Sequence, residues 1–97
     1  MIIYIDIDET IAEPSATRNY ADSKPMKNNI AKANKLYDEG HTIVYWTARG
    51  TTTGIDWTDV TRNQLDSWGV KYHDLKLGKP QYDLFIDDKA LNTNDWK

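Results

Sequence analysis

The sequence predicts an α/β domain, a three-layer Rossmann-like core with a mostly parallel sheet of about four strands. Three observations predict it. β-branched and aromatic runs recur at 2–7 (IIYIDI), 42–47 (TIVYWT) and 82–87 (YDLFID), as buried strands do. Apolar residues at helical spacing fill the intervals between them. Strands that alternate with helices imply parallel strands joined by right-handed crossovers.

The elements follow in order. Residues 2–7 form the first strand. Residues 12–24 (AEPSATRNYADSK) are polar and read as a loop or small flap. Pro25 suits the first turn of a helix. In that helix Met26, Ile30, Ala33 and Tyr37 share a face with Leu36 beside them, and Gly40 stops it. The second strand is 42–47, followed by a loop at 50–55. Asp56 can cap a helix with Trp57, Val60, Leu65 and Trp68 as its apolar positions and Gly69 as its end. Residues 70–73 (VKYH) read as a short third strand, LGKPQ as a turn, 82–87 as the fourth strand and the tail as a short helix. With 97 residues the chain is expected to be a single domain, 1–97.

Composition narrows the function classes. The net charge of −3 argues against a general nucleic-acid binder. There is no cysteine, which removes disulfides, thiolate catalysis and cysteine metal sites. No basic leader or long apolar segment is visible, so the expectation is a cytoplasmic protein without a membrane partner.

The polar residues fall where a ligand site is expected. Asp6 and Asp8 close the first strand, Thr47 closes the second ahead of Ala48 and Arg49, and Asp87 and Asp88 close the last, with Lys79 just before it. In an open parallel sheet the carboxyl ends of the strands line one crevice, and ligands bind there. Carboxylates gathered so closely repel one another unless a cation sits among them. Mg²⁺ fits best, because oxygen ligands and an anionic substrate suit it.

These pieces resemble the motifs of the haloacid dehalogenase-like (HAD) phosphohydrolases. DIDET matches the first motif, DxDx[TV]; VYWT, ending in Thr47, matches the second; Lys79 of GKP matches the third; LFIDD matches the fourth. They occur in family order across nearly the whole chain. The resemblance implies that Asp6 is the nucleophile that forms an aspartyl-phosphate, and that Asp8 is the acid/base. It implies Mg²⁺ held by the Asp6 side chain, the Asp8 backbone carbonyl and Asp87, with Asp88 close by or acting through water. Thr47 and Lys79 would stabilise the transferring phosphoryl group, and Thr10, Ala48 and Arg49 would join the substrate-binding set.

The segments 12–24 and 50–56 are too short for the cap domain that covers the site in many relatives, so the chain reads as capless. That implies an open site that takes a large substrate or is closed by a neighbouring subunit in a homo-oligomer. The texture most resembles phosphatases of capsule or polysaccharide biosynthesis, so a small sugar phosphate or polysaccharide-precursor phosphate is the expected substrate. The span from Thr61 to Gly69 also resembles the phosphatase domain of polynucleotide kinases, which keeps a nucleic-acid 3′-phosphate or a nucleotide as an alternative. A phosphoacceptor receiver domain uses similar residues in a different order and lacks the second Asp at +2. A silent binding module on the same fold is a third class.

Other residues carry simpler readings. Glu9 stands where the family often has Gly and is expected to face solvent. Arg49 can reach a substrate anion or form a surface salt bridge. Arg18 and Tyr20 lie in the flap, where Arg18 can meet substrate and Tyr20 can cover the pocket. His73 and His41 read as loop and surface residues. Trp46, Trp57 and Trp68 read as core, with Trp57 also near enough to the loop after Thr47 to line a site.

Overall fold

The computed structural model describes residues 1–17 and 19–97. The expectation for Arg18 lies outside the described residues. Among the described residues no helix is long and apolar enough to cross a membrane.

The chain forms β1 (Ile2–Ile5), a 3₁₀ turn at Tyr20–Asp22, α1 (Lys27–Asp38), β2 (Thr42–Trp46), α2 (Thr58–Ser67), β3 (Asp74–Lys76) and a second 3₁₀ turn at Thr93–Asp95. The three strands make one parallel sheet in the order β1-β2-β3. Ile5 pairs with Tyr45 and Trp46 with Lys76, so the three carboxyl ends lie side by side.

Both crossovers run in the same direction across the sheet. Right-handed connections then place both helices on one face, and the core bears this out. Ile5, Ile43 and Tyr45 point to the helix side and cluster with Ile30 and Ala33 of α1, Leu65 of α2 and Val70. Side chains alternate along a strand, so Ile2 and Tyr4 point the other way and are exposed. The expected three-layer arrangement is therefore seen only as two layers. A third layer requires a connection that reverses direction at β1, and 82–87 does not make it. That segment forms no strand, and Leu84, Phe85 and Ile86 are exposed.

Both helices end in the same hydrogen-bonded device. In α2, Gly69 N–H donates to Asp66 O and Val70 N–H to Leu65 O, with Gly69 at φ +69°. This is the left-handed closure that glycine accepts without strain. It also moves the third strand. Val70 is spent closing the helix, and His73 reaches β2 through its own backbone and ring, so pairing begins at Asp74 rather than Val70. In α1, Pro25 does not enter the first turn. It bridges Ala12, and the helix starts two residues later. Asp56 accepts from Thr58 N–H at 2.9 Å one position ahead of the formal cap. The buried face of α2 is Thr61, Gln64 and Leu65 rather than the expected Val60. Trp46, Trp57 and Trp68 are half-buried rather than core, and the fully buried aromatic is Tyr45. The tail forms only the 3₁₀ turn at Thr93–Asp95.

Burial pushes the Tyr45 phenol well above its usual range, and its hydroxyl has no hydrogen-bond partner among the described residues. Leaving a buried hydroxyl unpaired is unfavourable. Tyr45→Phe is therefore expected to keep the fold and to raise stability by up to about 1 kcal/mol in urea melts. Gly50 is the opposite case: its φ is +80° and a Cβ would lie 2.0 Å from Ile55 O. Gly50→Ala is expected to lose about 2 kcal/mol or more in the same melts, because the left-handed conformation and the overlap both count against alanine.

Candidate functional site

The site is built at the carboxyl end of the sheet. After β1 the chain turns tightly. The amides of Thr10, Ile11 and Ala12 all donate to Ile7 O, and Glu9 N–H donates to Ala12 O. The turn puts Glu9 at φ +64° with its side chain exposed. That is the left-handed region, which explains why glycine is common at such a position. Asn29 of α1 holds the turn from below, donating to Thr10 O at 2.8 Å.

Asp6 leaves the end of β1 and meets Lys79, whose Nζ is 3.5 Å from Oδ1. Partial burial raises the Asp6 carboxyl above its ordinary value. The Lys79 charge and the Ile7 amide oppose this, and neighbouring Asp8 adds to it. Lys79 is held in place by its backbone: its N–H donates to Thr47 O at 3.0 Å and its carbonyl accepts from Thr51 Oγ1 at 2.9 Å. Its ammonium also lies near the rings of Trp46 and Tyr82. Thr47 is fully buried at the end of β2, and its Oγ1 accepts from Arg49 N–H at 3.1 Å, which leaves its own O–H to donate. Ala48 is half-buried beside it.

Arg49 is the least expected residue of the site. It is neither on the surface nor turned to a solvent-filled groove, being only 2% exposed. Its Nη2 donates to Asp8 Oδ1 at 2.8 Å and its Nε to Asp8 Oδ2 at 3.0 Å. Its Nη1 donates to Thr61 Oγ1 at 3.1 Å and to Gln64 Oε1 at 2.6 Å. The Tyr20 ring covers the guanidinium at 4.7 Å, and Gln64 Nε2 donates to Tyr20 O. Trp57 packs edge-on against Tyr20, with ring centres 4.9 Å apart. Asp8 itself is one-third exposed, at 32%. It borders a cleft of about 250 Å³ lined by Glu9, Pro14, Ser15, Tyr20 and Ser23.

The structure thus brings Asp6, Asp8, Thr47, Ala48, Arg49 and Lys79 to one end of the sheet. Thr10 is buried nearby, but its hydroxyl pairs with Thr93 Oγ1 at 2.9 Å. Asp87 and Asp88 lie on the exposed segment after Lys79. There Asp87 accepts from Lys89 N–H, and a hydrogen bond shared with Asp88 is the main reason its carboxyl is held below the usual range. Carboxylate donors suit Mg²⁺. Among the described residues, however, no three acidic or histidine side chains converge as ligands, so Asp6 and Asp8 alone stand at the candidate centre.

His73 accepts from Ile43 N–H and stacks on Tyr37, a structural role. His41 bonds the N-terminal amine. Sequence reasoning missed Asn29, Thr61 and Gln64 as parts of the site. The signal was present: each is a polar residue on a helix face that otherwise packs inward.

No family model matches the chain, and no curated protein matches it. Among solved structures, the chain resembles the crystal structure of a Vibrio cholerae protein known by a target designation alone. The TM-score is 0.86 at 25% identity, over 96% of this chain and 84% of that one. The likeness supports the α/β fold.

The raised carboxyl of Asp6 has a consequence for stability in metal-free protein. Its folded value lies above its ordinary 3.8. As pH rises through that window the folded state gives up a proton it prefers to keep, so stability falls. Asp6→Asn keeps the neutral form at every pH. In EDTA the variant is expected to melt above wild type at pH 7, with the gap closing as pH drops below about 4.

Proposed function

We propose that this chain is a Mg²⁺-dependent phosphomonoesterase of the HAD type that works through an aspartyl-phosphate on Asp6. The observation that carries the reading is the juxtaposition of Asp6 with Lys79 at 3.5 Å, beside Asp8 and Thr47 at the ends of adjacent parallel strands.

The chemistry follows from the groups present. The Asp6 carboxylate attacks phosphorus. As the new Asp6 O–P bond forms, the bond to the leaving oxygen breaks, and that oxygen takes the proton of the Asp8 carboxyl. In the second half Asp8, now a carboxylate, takes a proton from water. The water oxygen attacks phosphorus, the bond to Asp6 breaks, and inorganic phosphate leaves. Lys79 Nζ and the Thr47 hydroxyl supply donors for the charge on the transferring oxygens. A bound Mg²⁺, held by the Asp6 carboxylate, the Asp8 backbone carbonyl and Asp87 with Asp88 close by, would offset repulsion between the nucleophile and the phosphate.

That ligand set requires 82–87 to add to the free edge of β1 as a fourth parallel strand, next to the point where the sheet order would reverse. Ligands of doubly wound sheets bind at such a point. The exposed Leu84-Phe85-Ile86 run supplies the apolar driving force, and a divalent cation would relieve the carboxylate repulsion that opposes docking.

The cleft beside Asp8 is where the leaving group would sit. Its hydroxyls, Tyr20 and the Glu9 carboxylate suit a hydroxylated, uncharged leaving group such as a sugar. Glu9 beside Asp8 and the net charge of −3 count against a polynucleotide end. Ile2 and Tyr4, exposed on the face opposite the helices, offer a surface for a second copy of the chain.

The test is hydrolysis of an aryl phosphate and a panel of sugar phosphates. Wild type with Mg²⁺ is expected to turn over, EDTA to stop it, and Asp6→Asn to lose more than about 10³-fold in kcat with the fold intact. Full activity in Asp6→Asn would remove Asp6 as nucleophile, and turnover in EDTA would remove the metal.

A further inference from the structure

We infer that Arg49 is a positioning residue that aims the Asp8 carboxyl at the leaving group, rather than a residue that binds the substrate phosphate. The inference rests on the phosphatase reading.

An arginine placed to bind a phosphate leaves its fork of donors open towards the ligand. Arg49 does not. Nε and Nη2 are committed to the two oxygens of Asp8, and Nη1 is committed to Thr61 and Gln64. One face of the guanidinium is covered by Tyr20, and the side chain has no exposed surface.

The same contacts describe a device for orientation. Asp8 sits on a tight turn, where a short carboxylate can rotate about both of its side-chain bonds. A bidentate guanidinium fixes its plane, because two parallel N–H···O bonds form in only one orientation. The guanidinium is itself fixed by two acceptors one helical turn apart on α2 and by an aromatic face from the flap. With Asp8 gripped in this way, its accessible edge faces the cleft bordered by Glu9, Ser15, Tyr20 and Ser23. This is the side from which a leaving oxygen would need a proton. Positioning of this kind counts because proton transfer requires hydrogen-bond reach in the reacting geometry.

The inference separates experimentally from a purely structural role and from phosphate binding. Arg49→Lys keeps the charge and loses the fork. Two substrates are compared, an aryl phosphate whose leaving group needs little protonation and an alkyl or sugar phosphate whose leaving group needs much. The expected result is a kcat loss on the order of 100-fold for the alkyl ester and only a few-fold, about 3, for the aryl ester, with KM unchanged for both. Gln64→Met is the second variant. It removes the shortest acceptor of Arg49 while leaving Asp8 and Arg49 in place, and it is expected to show the same leaving-group dependence to a smaller degree. It carries the test if Arg49→Lys fails to fold.

An equal loss on both substrates would overturn the inference in favour of a structural role. A raised KM with kcat retained would overturn it in favour of phosphate binding. If wild type hydrolyses neither ester, the phosphatase reading itself falls and the inference falls with it. That outcome is distinct from an active wild type with uniformly affected variants.

Discussion

A buried guanidinium must have its donors satisfied, and much of the site is organised around that need. Arg49 follows the buried strand β2 by three residues, so its backbone is carried inside the domain by the burial of Ile43, Val44 and Tyr45. An uncompensated charge there would cost several kcal/mol. The compensation comes from three separate stretches of chain: Asp8 in the turn after β1, Thr61 and Gln64 on α2, and the Tyr20 ring in the flap. The polar pair on the inward face of α2 explains why that helix packs with Thr61 and Gln64 buried although an apolar residue, Val60, was available one position away. Losing Asp8 would therefore leave the buried guanidinium short of its carboxylate and disturb the domain, whereas losing Asp6, which meets Lys79 at 3.5 Å, would leave that network in place.

The carboxyl end of the sheet follows a second constraint, that like charges in a small space need an opposing charge. Lys79 meets Asp6, and Arg49 meets Asp8. Each acid thus has its own cation, and the two cations differ in character. Lys79 is a compact point charge that meets Asp6 through one long ion pair and lies near the rings of Trp46 and Tyr82. Arg49 is a rigid planar group with its contacts already made, suited to holding a direction. Asp87 instead shares its hydrogen bonding with Asp88 and with the Lys89 amide.

Much of this was legible in the chain. The β-branched runs located β1 and β2, and the glycines at 40 and 69 located the helix ends, because those signals are local and strong. The grouping of Asp6, Asp8, Thr47 and Lys79 could be read from strand ends, since parallel strands deliver their carboxyl ends to one side. What could not be read depended on competition between elements. Val70 has the composition of a strand residue, yet it closes α2, which pushes β3 to Asp74. The sequence of 82–87 matches a strand, but a strand also needs a neighbour to pair with, and no local pattern supplies one. The third layer depends on that strand, so the sheet is seen here with its helices on one face only. Arg49 was hardest to read, because only the packed arrangement shows that its partners lie within the domain.

The account depends most directly on the identity of the nucleophile. The decisive measurement is to quench the protein during turnover of a phosphate ester, reduce it with borohydride and locate any modified residue by mass spectrometry. An acyl phosphate at position 6 is reduced to homoserine, so homoserine replacing Asp6 is the result the account predicts. Turnover with Asp6 unmodified, or with the modification at Asp8 or elsewhere, would contradict it.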